Sequence, residues 1–265
     1  MLFLDKKMTV NLHTHTVRCH HASGNEREYI QNAISEGMNI LGFSDHAPYA
    51  FPDGYYSGFR MAREAQKDYV DTLKALKDEY KATIDIKIGY ELEYYPKFFS
   101  DTTKLITQYD VDYLILGQHY LGNETGDVYS GQESDSEAFL ERYVDQVIEG
   151  MDTGIYTYVA HPDLCNFVGD NKFFDKHYSR LIEHSVKTGI PLEINFLGIR
   201  VGKAYPRERF FMLCGEIGAP VCCGCDAHAP DDLSDHQSLS KAVEWIEKYK
   251  LNFVPSPTLR KVCTI

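Results

Sequence analysis

The sequence predicts an α/β fold in which seven strand–helix units form a closed or nearly closed parallel barrel. Three observations carry this expectation. Apolar, β-prone runs alternate with amphipathic stretches along the chain, no linker or repeat interrupts them, and the histidines gather at strand ends. A doubly wound open sheet is the competing architecture. The expected strands are 8–15, 39–45, 84–91, 111–118, 156–161, 190–195 and 219–225. The expected helices are 25–37, 60–80, 98–108, 134–152, 174–188, 206–217 and 237–250. In the first strand, "MTVNL" alternates apolar and polar residues before His13 and His15. Residues two apart share one face of a strand, so the two imidazoles stand side by side. In the second helix Tyr69, Leu73, Leu76 and Tyr80 recur at helical spacing, and Gly189 followed by Pro191 stops the fifth.

Composition bounds what such a fold does. The 265 residues, 43% hydrophobic and 25% charged, suit one globular domain spanning 1–265. No apolar run approaches the roughly 18 residues of a membrane span, and "MLFLDKKMTV" lacks the apolar core of a signal peptide. Seven cysteines without framework spacing suggest reduced thiols and a cytoplasmic protein. The C-x-x-C within "CCGC" (222–225) has no second pair and reads as buried strand. The net charge of −12, with no Lys/Arg-rich run, argues against nucleic acid and for a small substrate.

The chemistry lies at the strand ends. His13 and His15 end the first strand, His46 of "SDH" the second, and Glu91 of "GYELE" the third. His119 of "GQH" ends the fourth, His161 of "VAH" the fifth, Glu193 and Asn195 of "LEIN" the sixth, and Asp226 and His228 of "CDAH" the seventh. In barrels of this type the C-terminal strand ends form the active-site face. With one of the adjacent His20 and His21, and apart from Glu193 and Asn195, the candidate ligands are seven His, one Glu and one Asp. Imidazole with carboxylate suits zinc, manganese or iron, and this many donors suits two or three ions. His177 and His184 are expected on a solvent-facing helix side, and His236 exposed.

The motifs "HTHTVRCHH", "SDH", "GYE", "QH", "HPDL" and "DAH", in this order, resemble those of the PHP (polymerase and histidinol phosphatase) family of metal-dependent phosphoesterases. "LEINFLGIR", "AYP" and "CDAHAP" look most like its histidinol-phosphate phosphatase branch. The resemblance implies a distorted seven-stranded (β/α)7 barrel and a metal-dependent phosphomonoesterase acting on a small phosphorylated substrate, histidinol phosphate. The alternatives are another phosphoesterase of the family (a phosphotyrosine-protein phosphatase or a nuclease) and a non-catalytic metal-binding module. It implies three ion sites: His13, His15, Glu91 and Asp226; the shared Glu91 with His119 and His161; and His21, His46 and His228. His21 is preferred to His20 because the family places a ligand eight residues after the first histidine. The expected nucleophile is a metal-acidified water attacking phosphorus in line. Catalytic roles fall to Asp226, orienting the nucleophile or accepting its proton, and to Glu91 as the bridging carboxylate. Arg200 in "NFLGIR" matches an arginine of the related phosphatases and is expected to bind phosphate bidentately. Arg18 is left between a substrate contact and solvent. The segment "APYAFPDGYYSGFR" after His46 is expected to cover the mouth as a lid.

Overall fold

The computed structural model describes residues 7–52, 55–126 and 128–263. Strands β1 (Val10–Asn11), β2 (Ile40–Phe43), β3 (Asp85–Glu91) and β4 (Tyr113–Ile115) form one parallel sheet in that order. A second parallel sheet runs β5 (Leu192–Asn195), β6 (Pro220–Gly224) and β7 (Asn252–Phe253). Single bridges connect the sheets. Val159 pairs with Leu116 beyond β4 and with Leu192 of β5, and Thr14 beyond β1 pairs with Ala227 beyond β6.

The segment 156–161, expected as a full strand, contributes only those bridges at Val159. Its backbone still bonds to both neighbours: Leu116 N–H to the Tyr158 carbonyl (3.0 Å) and Val159 N–H to the Pro191 carbonyl (2.9 Å). Pro191 has no N–H to return, and Pro162 closes the segment, so the ladder cannot lengthen. The short β7, paired from Pro220↔Asn252, was not anticipated.

Eight α-helices connect the described strands: α1 (Glu26–Ser35), α2 (Gln66–Tyr80), α3 (Pro96–Ile106), α4 (Glu137–Asp152), α5 (Asn171–Thr188), α6 (Phe196–Val201), α7 (Glu208–Ile217) and α8 (His236–Lys248). Their ends follow local chemistry. Asn25 and Glu28 form a reciprocal capping box on α1, Pro96 occupies the first turn of α3, and Gly189 (φ 66°) closes α5 in the left-handed region. The turn after β5 becomes the six-residue α6 because Asn195 caps it, accepting from Gly198 N–H.

Helices α4 and α5 pack together and correct the reading of the α5 histidines. The face they share turns toward α4 rather than solvent. His177 is fully buried, its Nε2 3.0 Å from Glu137, and His184 Nε2 lies 2.9 Å from Asp152. His236 is exposed as expected. Among the described residues, no helix is long and apolar enough to cross a membrane.

Candidate metal centre

The parallel register brings the strand ends to one place. In "NLHTH", Asn11 side-chain bonds to the His13 carbonyl and to Thr14 Oγ1 hold the chain past β1, and the Thr14↔Ala227 bridge sets it beside Asp226. The His46↔Glu91 bridge similarly places the end of β2 against the end of β3. Two glycines make room. A Cβ at Gly117 would stand 1.8 Å from Glu91 Oε1, and one at Gly224 would stand 1.8 Å from Glu193 Oε1. Backbone strain is stored at two donors, His161 (φ 31°) and Asp226 (φ 46°), as is common at functional positions.

Four donors converge around one point. His13 Nε2 lies 3.6 Å from Glu91 Oε2 and 3.5 Å from Asp226 Oδ1, and His15 Nε2 lies 3.5 and 3.2 Å from the same atoms. Both Nε2 atoms are buried and make no hydrogen bond among the described residues. These separations exceed good hydrogen bonds. They do match the edge of a tetrahedron of donors about 2.1 Å from one ion, about 3.4 Å. The residues present therefore fit a divalent cation.

The other groupings adjoin this one. Glu91 Oε1 lies 2.8 Å from His161 Nε2 and 3.7 Å from His119 Nε2, so opposite oxygens of one carboxylate face two sets of imidazoles. His21 and His228 bring their Nε2 atoms to 2.9 Å, and His46 lies beside them, its ring centroid 5.4 Å from that of His21. His46 Nδ1 also reaches within 3.0 Å of Glu91 Oε2. Of the adjacent pair, His21 faces this cluster, whereas His20 turns outward and meets the Tyr56 hydroxyl at 2.9 Å.

The electrostatics match an anionic cage built for cations. Burial raises the Glu91 carboxyl, but His46, His119 and His13 outweigh it and hold it well below the usual range. Burial acts likewise on Asp226, and His13 and His15 outweigh it. His228 is pushed down to about 3, first by burial and then by His15, which keeps a neutral imidazole available as a ligand. Burial also lowers His15, yet the adjacent carboxylates of Asp226 and Asp45 leave it well above its ordinary value. Protons held there are released when metal binds.

A second layer of carboxylates, not assigned a role from sequence, orients the imidazoles. Glu193 Oε1 accepts from His13 Nδ1 (2.8 Å), and its Oε2 accepts from His161 N–H and Asn195 Nδ2 (both 2.9 Å). Asn195 Nδ2 also donates to Asp226 Oδ2 (3.0 Å), leaving Oδ1 to face His13 and His15. Glu93 Oε1 accepts from His119 Nδ1 (2.9 Å), and Asp45 Oδ1 lies 3.5 Å from His15 Nδ1. Such partners fix the tautomer and direction of a metal-binding imidazole. The signal was present: Glu91/Glu93 and Glu193/Asn195 are each two apart at a strand end.

Arg200, expected at the phosphate, is not among the described residues that line the cavity described below. Leu197 and Val201, one turn apart on α6, take the side facing that cavity, which rotates Arg200 away. Its guanidinium pairs with Asp232 (3.1 Å) and Asp235 (3.0 Å) and donates to the carbonyls of Cys225 (3.4 Å) and Asp226 (3.2 Å). It clamps the strained backbone that presents Asp226. Arg200→Ala should therefore lower stability by roughly 1–3 kcal/mol and weaken metal retention, as followed by thermal melting and metal analysis. Unchanged stability with a raised KM would instead return Arg200 to the substrate. Arg18 pairs with Glu26 and with Asp68 (2.6 Å), so its charge is spent on the helices beside the site.

Beyond the histidines lies a cavity of about 570 Å³. Phe59, Tyr120, Tyr129 and Tyr205 give it aromatic walls, and Lys203 is its one Lys or Arg among the described lining residues. Phe59 comes from the segment expected as a lid; residues 53 and 54 of that segment lie outside the described residues.

Parallel strands ending in clustered histidines and carboxylates able to hold metal ions define an α/β protein with a candidate metal centre. The PHP domain model matches residues 11–196, and the chain belongs to the PHP family. Asp226 and His228 lie beyond the matched segment and reach the centre through the Thr14↔Ala227 bridge. The chain is 30% identical, over 83% of its length and 86% of the relative's, to a Deinococcus radiodurans protein named "Probable histidinol-phosphatase". It is 26% identical to the histidinol-phosphatase of Bacillus subtilis, over 83% of this chain and 94% of that one. The fold is similar to that of histidinol phosphate phosphatase from Lactococcus lactis, solved with zinc, L-histidinol and phosphate. There the TM-score is 0.72 at 19% identity, covering 93% of this chain and 95% of the other.

Proposed function

We propose that the chain is a metal-dependent phosphomonoesterase that hydrolyses histidinol phosphate to histidinol and phosphate. The observation that carries the reading is the convergence of His13, His15, Glu91 and Asp226 at 3.2–3.6 Å beneath an aromatic cavity. In this reading the chain acts as one domain, 1–265, and β1–β4, the 156–161 segment, β5 and β6 make a distorted seven-stranded barrel. The free cysteines fit a cytoplasmic enzyme.

The proposed ion sites are His13, His15, Glu91 and Asp226; Glu91, His119 and His161; and His21, His46 and His228. Divalent ions bound there supply Lewis acidity to phosphoryl oxygens and acidify water to near-neutral pKa. The protein's own groups do the rest. Asp226, fixed by Asn195, presents Oδ1 to orient the attacking water and accept its proton. Glu91 divides its oxygens between two imidazole clusters and holds them at a set separation. Lys203 offsets charge on the phosphate, taking the place expected for Arg200. The aromatic walls receive the alcohol portion, whose cationic groups suit π faces. The net charge of −12 and the lack of a Lys/Arg-rich run in the sequence favour a small substrate over a nucleic-acid backbone.

The test is phosphate release from histidinol phosphate beside p-nitrophenyl phosphate. A site shaped for the alcohol should favour histidinol phosphate by at least about 100-fold in kcat/KM. Equal or faster turnover of the aryl ester would replace this reading with a phosphotyrosine-type activity.

A further inference from the structure

We propose that Arg60 is a positioning residue that couples the segment over the mouth to metal binding at His119, acting through Glu93. The inference rests on the proposed metal centre and adds a residue and a linkage to it.

Arg60 is an unusual arginine. It lies in the loop between β2 and α2, yet it is only 2% exposed. Its Nη1 and Nη2 donate to the two oxygens of Glu93 (3.0 and 2.9 Å), a bidentate fork. Nε donates to Glu124 Oε2 (2.7 Å), and Nη1 also donates to the Ala47 carbonyl (3.2 Å). The guanidinium sits 4.5 Å from the Phe59 ring centroid and 4.9 Å from that of Tyr49. All of its donor groups are thus engaged in holding three separate stretches of chain together.

The partners connect it to the metal centre. Glu93 Oε1 accepts from Arg60 and also from His119 Nδ1 (2.9 Å), and the other nitrogen of that imidazole faces Glu91 at 3.7 Å. Glu124 belongs to the loop after β4 and also accepts from the Tyr55 hydroxyl (3.0 Å), so two loops meet on one guanidinium. Phe59, next to Arg60 in sequence, packs edge-on against His46 (5.2 Å) and near His119 (5.9 Å).

One buried cation faces two buried carboxylates, and among the described residues the remaining side-chain donor to the Glu93 carboxylate is the His119 imidazole. A cation on the far nitrogen of His119 strengthens its N–H toward Glu93 and thereby the whole array. By linkage, whatever holds the loop in place must then strengthen metal binding by the same factor. A loop anchored this way is a strap coupled to the ions beneath it rather than a free flap.

The test uses the whole chain without phosphate substrate, so failure of the proposed activity does not affect it. Zinc affinity is read by competition with a chromophoric chelator, and amide exchange is followed across residues 55–62 with and without zinc. In the wild-type chain zinc should slow exchange there. Arg60→Met should weaken one zinc equivalent about 10- to 100-fold, leave the others unchanged, and abolish the zinc effect on exchange. Arg60→Lys keeps the buried charge without the fork, so it should fold and weaken that same equivalent by less. If Arg60→Met fails to fold, Arg60→Lys alone decides. Wild-type zinc affinity in a folded variant, or zinc-dependent protection of 55–62 that survives the substitution, overturns the proposal.

Discussion

Glu91→Gln is expected to remove two ions per chain, not one, and to lower turnover by about 1000-fold or more. The argument is geometric. Oε2 of this carboxylate faces His13 and His15, while Oε1 faces His161 and His119. An amide preserves the volume, but it offers a single oxygen and no charge, so it cannot serve both clusters. Burial would ordinarily oppose ionisation here, and the surrounding imidazoles overcome it, so the anion is the form the site is built around. Elemental analysis of the purified variant, with far-UV circular dichroism to verify the fold, checks the result. Loss of a single ion with hydrolysis intact would contradict the bridging role.

Removing the ions altogether should be as damaging to activity and also visible in stability. The centre concentrates buried histidines against buried carboxylates, an arrangement that cations stabilise and whose loss leaves donors such as His13 Nε2 and His15 Nε2 without partners. A single site held at 100 times its Kd contributes about 2.7 kcal/mol. For a chain of this size that corresponds to a Tm fall of roughly 5–10 °C on chelation. Phosphate release should vanish with the ions and return when zinc, manganese or iron is restored. Activity that persists in exhaustively chelated protein would exclude the metal-dependent reaction.

The donors were legible in the sequence because two physical constraints act on them together. A metal needs His and carboxylate donors, and a parallel α/β fold puts functional residues at strand ends, so "SDH", "GYE" and "DAH" each mark a strand end and a donor at once. What sequence could not give was direction. Arg200 follows the right strand, but whether it faces the cavity depends on the rotation of α6, which Asn195 sets by capping. The α5 histidines likewise share a face, and only the packing of α4 says that this face is buried. Strand 156–161 reads well by composition, yet its pairing is cut short because Pro191 in the adjacent segment has no N–H to donate. Arg60 illustrates the limit best. A loop arginine among aromatics looks solvent-facing until Glu93 and Glu124, far away in sequence, are placed against it.

The central claim is that nine side chains from separate strand ends form one polynuclear centre. Anomalous diffraction at the zinc edge, from crystals of zinc-loaded protein, tests it most directly. The account predicts separate peaks bounded by His13, His15, Glu91 and Asp226, by Glu91, His119 and His161, and by His21, His46 and His228, with Glu91 between the first two. A single peak, or peaks away from these side chains, would contradict it.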